Sequence, residues 1–361
     1  MNSLNVSAYI AQSKRLHYTD QMSIKTHPTL QDVAVSAGVS TATVSRALND
    51  PDKVGQAARD RIDHAIAVLG YTPNFGARAL ATNQTNTVGA IIPTLSNAMF
   101  ASGIQAFQEV LAEAGVTLLI ATTGYDPENE LRQIKSLMSQ GASGLLLIGN
   151  DRLDETRKYL ATRRTPHVIS WCFHDGTDQM FVGFDNYAAA YDATQRVLAK
   201  GHKRIGIIAG DCATNDRARA RRDAAIAAID SAADAQVVQV IQAPYRIDAG
   251  RQACEEILSF ANRPTALICG NDVLAAGAMI AARSLNLKIP DDISIIGFDD
   301  IGLASVVSPP MTTVRVPQIE MGRAAATLLL DVVAGKPDLT GERLDTQFIE
   351  RGSLGPVPEK D

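Results

Sequence analysis

Two short helical patterns joined by a glycine constrain this chain more than any other feature. Residues 29–48 read TLQDVAVSAGVSTATVSRAL. Apolar residues at positions 30, 33, 34 and 37 fall on one face of a helix, and Thr29 with Asp32 three residues later is the capping-box pattern that starts one. Gly38 can adopt the left-handed backbone of a sharp turn. The pattern predicts a short helix that ends in a tight turn.

A second helix is predicted directly after this turn. Ser40 can cap its N-terminus, and Val44 begins its inward face. The outward positions are small or hydroxylated and end in arginine, which suits the major groove of DNA. These positions are Thr41, Ala42, Thr43, Ser45 and Arg46. The segment is interpreted as a DNA-binding helix-turn-helix, with an ordinary helical hairpin as the alternative.

A third helical pattern, AARDRIDHAIAVLGY, occupies residues 57–71 and ends at Gly70. Three such helices can share one small core. The segments GVSTATVSRALN and PNFGARALATNQTNT together resemble the headpiece and hinge of the lactose-repressor (LacI/GalR) family of bacterial transcription regulators. The matching positions are Gly38-Val39-Ser40, Thr43-Val44-Ser45-Arg46, Asn49, Gly70-Tyr71, Pro73-Asn74, Ala77-Arg78 and Leu80.

This resemblance implies a transcription regulator, expected to be a repressor, that binds operator DNA as a homodimer. In the family the hinge becomes a helix on DNA and a leucine wedges into the minor groove. Leu80 matches that leucine, and core packing is its alternative role. The residues expected to bind DNA are Thr29, Ser40, Thr41, Ala42, Thr43, Ser45, Arg46, Asn49, Asn74, Ala77, Arg78 and Leu80.

Composition limits the other classes of protein. The 361 residues suffice for several domains, and the formal net charge is −5 although the first 80 residues carry a slight excess of basic side chains. No run is long and apolar enough for a membrane span, and the N-terminus lacks an apolar signal core, so a cytoplasmic protein is expected. Residues 1–28 are expected to be a disordered extension, a flexible basic arm, or sequence upstream of a true start at Met22.

No cofactor, disulfide or metal site is predicted. The four cysteines lie far apart and none has histidine at ligand spacing. The glycine-rich, serine-hydrolase and zinc-protease motifs of common enzymes are missing, so an enzyme is not expected. A periplasmic-type sugar-binding protein or a sugar-modifying enzyme on the same core is the alternative. The first of these would need a signal sequence and would lack the headpiece.

From residue 88 onward, short apolar runs alternate with helical patterns, as in parallel β-α units. One series of strands is expected at residues 88–92, 116–120, 144–148 and 167–171. A second series begins at residue 204 and includes VVQVI, TALICG and DISIIGFDD. The split near GFDN at residues 183–186 predicts an α/β core of two doubly wound lobes beside an all-α headpiece.

This core resembles the periplasmic-binding-protein architecture of the same regulator family, and the resemblance extends from Thr29 to about Gly352. The expected domains are a helix-turn-helix domain at residues 29–73, a hinge at 74–86 and an effector-binding core at 87–354. Lobe 1 is expected at about 87–185 and 317–338, and lobe 2 at about 186–316 and 339–354.

Ligands of such cores bind beyond the carboxyl ends of the strands. The resemblance and these positions together predict an effector site formed by Phe100, Trp171, Arg221, Tyr245, Asn271 and Asp299. Arginine, aspartate and asparagine beside aromatic rings suit a hydroxyl-rich ligand, so a sugar or sugar acid is expected. Trp171 could stack on this ligand or pack in the core.

Several neighbours of these residues are expected to have structural roles. Arg217, Arg219 and Arg222 are interpreted as mostly a solvated helix face. Asp272 and Asp300 could cap helices, and for Asp272 this is the favoured role.

Overall fold

The computed structural model describes residues 28–72 and 85–358, which belong to two separate compact units. The first unit contains α1 (Leu30–Ala37), α2 (Thr41–Asn49), a short 3-10 turn at Pro51–Lys53 and α3 (Gln56–Leu69). The expectations for residues 1–27 and for the hinge residues Asn74, Ala77, Arg78 and Leu80 lie outside the described residues.

The predicted helix ends of the headpiece are confirmed. The Thr29 hydroxyl accepts a hydrogen bond from the Asp32 backbone N–H at 3.3 Å, and the Thr29 N–H donates to the Asp32 carboxylate at 2.8 Å. Gly38 ends α1 with φ of +64°, in the left-handed region. Val33, Val44 and Ile62 from the three helices are fully buried together. One small core therefore fixes the orientation of α2.

The first lobe is built on a parallel six-stranded sheet, whose order is β11-β5-β4-β3-β1-β2. Its strands are β1 (Thr87–Ile92), β2 (Thr117–Thr122), β3 (Leu145–Ile148), β4 (His167–Ser170), β5 (Phe181–Gly183) and β11 (Glu342–Arg343). The helices between its first four strands are α4 (Ala98–Glu113), α5 (Pro127–Ser139) and α6 (Asp154–Arg163). The central strands are buried along their whole length because helices cover both faces.

The second lobe has a parallel four-stranded sheet of order β7-β6-β8-β9. Its strands are β6 (Arg204–Ala209), β7 (Gln236–Gln242), β8 (Ala266–Cys269) and β9 (Ser294–Ile296). Its helices are α7 (Asn186–Ala199), α8 (Asp216–Asp230), α9 (Ile247–Ser259), α10 (Asp272–Ser284) and α11 (Gly302–Val306). Within this second sheet, each connection between successive parallel strands runs through a helix, as the alternating sequence pattern predicted.

The chain passes between the lobes more than once. After β10 (Thr313–Arg315), helix α12 (Gln318–Val333) packs against α4 of the first lobe, where Gly103 and Gly322 let the two backbones approach closely. The final strand, β12 (Gln347–Ile349), pairs antiparallel with β10.

One expected division of the lobes was wrong in part, although its C-terminal end belongs to the second lobe as expected, since the Ser353 carbonyl accepts the Ile295 N–H of β9. Residues 339–354 were assigned to the second lobe, but β11 within them pairs with β5 and extends the first sheet. A strand of two residues carries no periodicity that could have shown this. None of the described helices has both the length and the apolar character that a membrane crossing requires.

Candidate DNA interface and effector cleft

Helix α2 presents one exposed row of side chains. Ala42, Arg46 and Asn49 are exposed, while Val44 on the other side is fully buried. No ion pair within the described residues engages the Arg46 guanidinium, so its donors are available. On this helix face the Ala42 methyl group can contact a thymine methyl, and the Arg46 guanidinium can bind the edge of a guanine.

Two of the residues expected to bind DNA also stabilise helix ends. The Ser40 hydroxyl accepts the Thr43 backbone N–H at 3.1 Å and lies 2.9 Å from the Thr43 hydroxyl. Thr29 caps α1. The Asn49 side-chain Nδ2, one turn later, donates to the hydroxyl of the half-buried Ser45 at 3.4 Å. These bonds fix the helix ends that a phosphate or base would meet.

In the two-lobed core, a cavity lies at the carboxyl edges of both sheets. It brings together five of the six predicted effector residues, from both lobes: Phe100, Arg221, Tyr245, Asn271 and Asp299. The other lining residues were not among those predicted to bind the effector, and they are Asn97, Met99, Tyr125, Asn215 and Arg217.

Three helices begin at this cavity, and each has an asparagine as its N-cap. Asn97 caps α4, Asn215 caps α8 and Asn271 caps α10. Helix N-termini carry a partial positive charge, so they favour oxygen-rich or anionic groups in the cavity. The sequence could have indicated these three residues, because each asparagine lies in the turn between a predicted strand and the helix that follows it.

Asn271 has an unpaired donor in the cavity wall. It is 1% exposed, and its side-chain oxygen accepts the Leu274 backbone N–H at 3.0 Å. Its Nδ2 is buried without a hydrogen-bond partner in the described residues. A buried amide without a partner is costly, so a ligand acceptor here would restore the missing bond.

The expected helix-cap role of Asp272 was wrong, because Asn271 occupies the cap position. Asp272 is buried and accepts hydrogen bonds from the Ile301 backbone N–H at 2.8 Å and the Thr313 hydroxyl at 2.5 Å. Asp300 does not cap a helix either, since it forms ion pairs with Arg315 and Arg351. Both carboxylates instead fix the segment that carries Asp299.

Arg221 is buried and held on several sides. Its Nε donates to the Asn186 side chain at 2.8 Å and its Nη1 to the Gly270 carbonyl at 2.9 Å. Its guanidinium lies over the Phe298 ring at 3.9 Å, and Nη1 is 3.5 Å from the Asp299 carboxylate. No hydrogen bond to a described residue uses Nη2. The guanidinium is therefore rigidly placed and keeps a donor for a ligand.

Asp299 is buried with an unusual backbone. Its φ is +111°, a region that residues with a side chain rarely adopt. Burial raises the pKa of Asp299 to about 7, although Arg221 and Arg217 favour the ionised carboxylate. Backbone strain of this kind concentrates at functional sites. The carboxylate is therefore positioned to accept ligand hydroxyls, and it gains a proton easily.

Aromatic rings form part of the cavity wall. Tyr125 from the first lobe and Tyr245 from the second meet with ring centroids 6.1 Å apart and planes tilted by 57°. Burial raises the pKa of both phenols. Both therefore keep their protons at neutral pH and can donate hydrogen bonds. Phe100 adds an apolar surface to the wall.

Trp171 was expected to contact the effector, and the structure contradicts this. Its side chain is 0% exposed and packs behind Phe100, with centroids 5.5 Å apart. Its φ is +63°, it does not line the cavity, and its ring lies against Gly103, where a methyl group would clash with the indole. The core-packing alternative is correct, and Trp171 supports Phe100 from behind.

The expected solvated role of Arg217 was also wrong. Arg217 is buried between the lobes, and its Nη1 donates to the Asp216 carboxylate at 2.8 Å. Burial opposes ionisation of Asp216, but Arg217 and the Asn150 N–H outweigh it, so the pKa of Asp216 lies below its ordinary value. Arg222 is partly exposed and pairs with Asp223.

Hydrogen bonds between the two lobes lie beside Arg217. The Asn150 N–H of the first lobe donates to Asp216 of the second at 2.6 Å. Arg219 reaches both oxygens of Asp151, at 2.8 and 2.6 Å. We call these two contacts the mouth contacts. They hold the described core in a closed arrangement.

One group of three side chains could hold a metal ion. Ligating atoms of Cys172, His174 and Asp216 all lie within 4.8 Å of one another. However, Arg217 and Asn150 already bind the Asp216 carboxylate, and burial raises the pKa of the Cys172 thiol. A protonated thiol beside a paired carboxylate favours the ion pair over a metal centre.

Comparisons with known proteins match both units. Residues 29–74 match the family described as bacterial regulatory proteins, lacI family, and residues 194–354 match the periplasmic binding protein-like domain. The HTH-type transcriptional repressor CytR of Escherichia coli (strain K12) is 35% identical over 340 residues, covering 92% of this chain and 98% of the relative. The ribose operon repressor of the same organism is 33% identical over 333 residues, covering 90% and 99%.

Solved structures agree with these matches. The lac repressor dimer bound to operator and the anti-inducer ONPF has a TM-score of 0.81 and 25% identity, covering 91% of this chain and 100% of that chain. A complex of the transcriptional regulator CelR with cellobiose has a TM-score of 0.66 and 29% identity, covering 90% and 99%. The likeness therefore includes the headpiece and the two-lobed core.

Proposed function

The chain belongs to the lacI family of bacterial regulatory proteins, which are DNA-binding transcription regulators with an effector-binding domain, and on that premise we propose that it is a repressor controlled by a sugar or sugar acid. The effector binds in the cavity lined by Phe100, Arg221, Asn271 and Asp299. Its binding changes the affinity of the headpiece for an operator. The protein acts in the cytoplasm, where its DNA is found.

The observation that carries the effector proposal is the unpaired Nδ2 of Asn271. It lines the same cavity as a carboxylate, Asp299, and an arginine with an unused donor, Arg221. Neighbouring hydroxyl groups both donate and accept hydrogen bonds, so they can satisfy all three side chains together. An apolar ligand would leave the Asn271 donor unpaired, which costs affinity.

Two relatives support the same ligand class. The solved CelR complex contains cellobiose, and the ribose operon repressor is named for a sugar operon. The lac repressor structure is a dimer on its operator. A single headpiece of three short helices reads only one half-site, so we infer that this chain also binds a near-palindromic operator as a homodimer.

A ligand screen with a matched variant tests the effector proposal. Purified full-length protein is heated with a panel of monosaccharides and sugar acids, and a binder raises the melting temperature. Asn271→Ser keeps an oxygen that can cap α10, and its shorter side chain leaves no donor at the position of Nδ2. The variant should melt near the wild-type temperature without ligand and lose most of the ligand-induced shift.

Asp185→Ser is the control for this exchange. Asp185 caps α7 by accepting the Ala188 N–H at 2.9 Å, and it does not line the effector cavity. Its ligand-induced shift should equal that of the wild type. A panel in which no sugar or sugar acid raises the melting temperature would overturn the proposed ligand class.

A further inference from the structure

A second chamber adjoins the effector cavity. Tyr125 and Arg217 line both spaces. The first space has three aromatic rings, whereas the second is bordered mainly by polar groups from α5, from the loop after β3 and from the start of α8. A ligand that passes Tyr125 and Arg217 would occupy both.

The second chamber contains an unpaired acceptor. Glu130 lines it and is 7% exposed, and its Oε2 has no hydrogen-bond partner in the described residues. The other oxygen, Oε1, lies 3.3 Å from the Arg152 Nε. Arg152 also donates from Nη1 to the Gly149 carbonyl at 2.6 Å, which fixes its position. A buried carboxylate oxygen without a donor is costly unless something else binds it.

The remaining carboxylates of this chamber are already satisfied. Asp151 accepts two bonds from Arg219, and Asp216 accepts bonds from Arg217 and the Asn150 N–H. Asp126 caps α5 through the Glu128 N–H at 2.9 Å. Four carboxylates and one cation, Arg217, line this wall, and the Glu130 Oε2 is the carboxylate oxygen that is buried without a hydrogen-bond donor, while Arg152 lies against Oε1.

We propose that the effector has two parts: a hydroxylated ring in the first cavity and a second part in this chamber that donates hydrogen bonds to Glu130. A protonated amine fits best, a hydroxyl less well, and a carboxylate is rejected by the surrounding acceptors. This inference rests on the proposed sugar effector and specifies its second part. It makes Glu130 a residue that determines specificity.

Four glycosides that differ only in the aglycone test this inference. Methyl, hydroxyethyl, aminoethyl and carboxymethyl glycosides of D-ribose and of D-glucose are titrated calorimetrically into the full-length protein. The aminoethyl form should bind about tenfold tighter than the methyl form, because a charged hydrogen bond to a buried acceptor has that effect on affinity. The carboxymethyl form should bind most weakly.

Glu130→Gln should remove the advantage of the aminoethyl form while leaving the methyl form unchanged. Glu128→Gln is the matched control, an exposed acid two residues earlier on α5, and it should behave as the wild type. If the variant fails to fold, the ranking of the four aglycones on the wild type still decides. Methyl glycosides that bind with no preference among aglycones would overturn this inference alone. Failure of every ribose and glucose derivative, together with a melting panel in which no sugar or sugar acid binds, would overturn the proposed effector class as well.

Discussion

At the scale of single residues, Asp299 decides how the cavity responds to protons. The carboxylate is buried beside Arg221, with Arg217 also near, and burial raises its pKa to about 7. Burial and the charge of Asp299 raise the pKa of Asp272. Asp272 accepts hydrogen bonds from Ile301 and Thr313 and does not line the cavity. A folded-state pKa above the ordinary value means that the ionised form costs stability, and this cost grows as pH rises toward about 7.

This electrostatic setting predicts that effector affinity depends on pH. Ligand hydroxyls donate to the ionised Asp299, so binding favours the charged form. Affinity should be level above about pH 7 and fall by about tenfold for each unit below it, as long as Asp299 dominates. Calorimetric titration across this range measures the slope. Asp299→Asn should bind more weakly and lose the slope, and a slope that survives in the variant would assign the titration to another group.

Arg46 carries the base-reading prediction. It is exposed on α2 beside Ala42, without an ion-pair partner among the described residues. Arg46→Ala should weaken binding of the best operator by about 1 to 3 kcal/mol and relax the preference at one base pair. Affinities for an operator and its single-base variants measure this. An equal loss on every variant would mean that Arg46 binds a phosphate.

At the scale of elements, sequence patterning predicted the strands and helices well where they are long and buried. Strands β1, β3, β4, β6, β8 and β9 form at the expected apolar runs, because burial on both faces requires continuous hydrophobicity. The edge strands β2 and β7, which are partly exposed, also form where they were expected. Strands β5 and β11 were missed because two or three residues carry no period.

Prediction of the site was less complete, for a related reason. The end of a strand locates a loop but not the direction in which its backbone turns. Trp171 and Tyr125 both follow strands and both have a positive φ. Trp171 is nevertheless buried in the core, whereas Tyr125 lines the cavity. Arg217 lies in a run of arginines, and only the approach of the first lobe shows which of them is buried.

The contact between β3 and α8 yields a test of lobe closure. Gly149 follows β3 with φ of +71°, and a Cβ there would lie 1.5 Å from the Arg217 Nη1 and 2.6 Å from the Asp216 Oδ1. Gly149→Ala should therefore disturb the mouth contacts and weaken effector binding about tenfold or more. Gly176→Ala is the control, since its φ is +72° and nothing lies within 4 Å of its Cβ position. Equal effects of the two substitutions would show that backbone strain alone is responsible.

The hinge segment provides a complementary test that separates the two ligands. Leu80 lies outside the described residues, and its role rests on the family pattern. Leu80→Ala should weaken operator binding while leaving effector affinity of the free protein unchanged, because a lost minor-groove wedge affects only the bent DNA complex. Fluorescence anisotropy with operator and calorimetry with effector measure the two affinities. Loss of effector binding would place Leu80 in the core.

At the scale of the whole molecule, the headpiece and the two-lobed core are separate compact units of one regulator. The unit that reads DNA has its own small core, and the effector cavity lies wholly in the other unit. Regulation therefore requires a coupling free energy between sites in two different units. Such couplings are reciprocal, so operator DNA must change effector affinity by the same factor.

The most direct test of this account is the operator affinity of the full-length protein with and without saturating effector, using an operator selected from random DNA. We expect saturating effector to change the operator affinity of the wild type about fivefold or more, within the usual range for allosteric coupling. In Asp299→Ala, operator affinity should equal that of the effector-free wild type and should not respond to the same sugar. An effector that binds the wild-type cavity yet leaves its operator affinity unchanged would contradict the central claim.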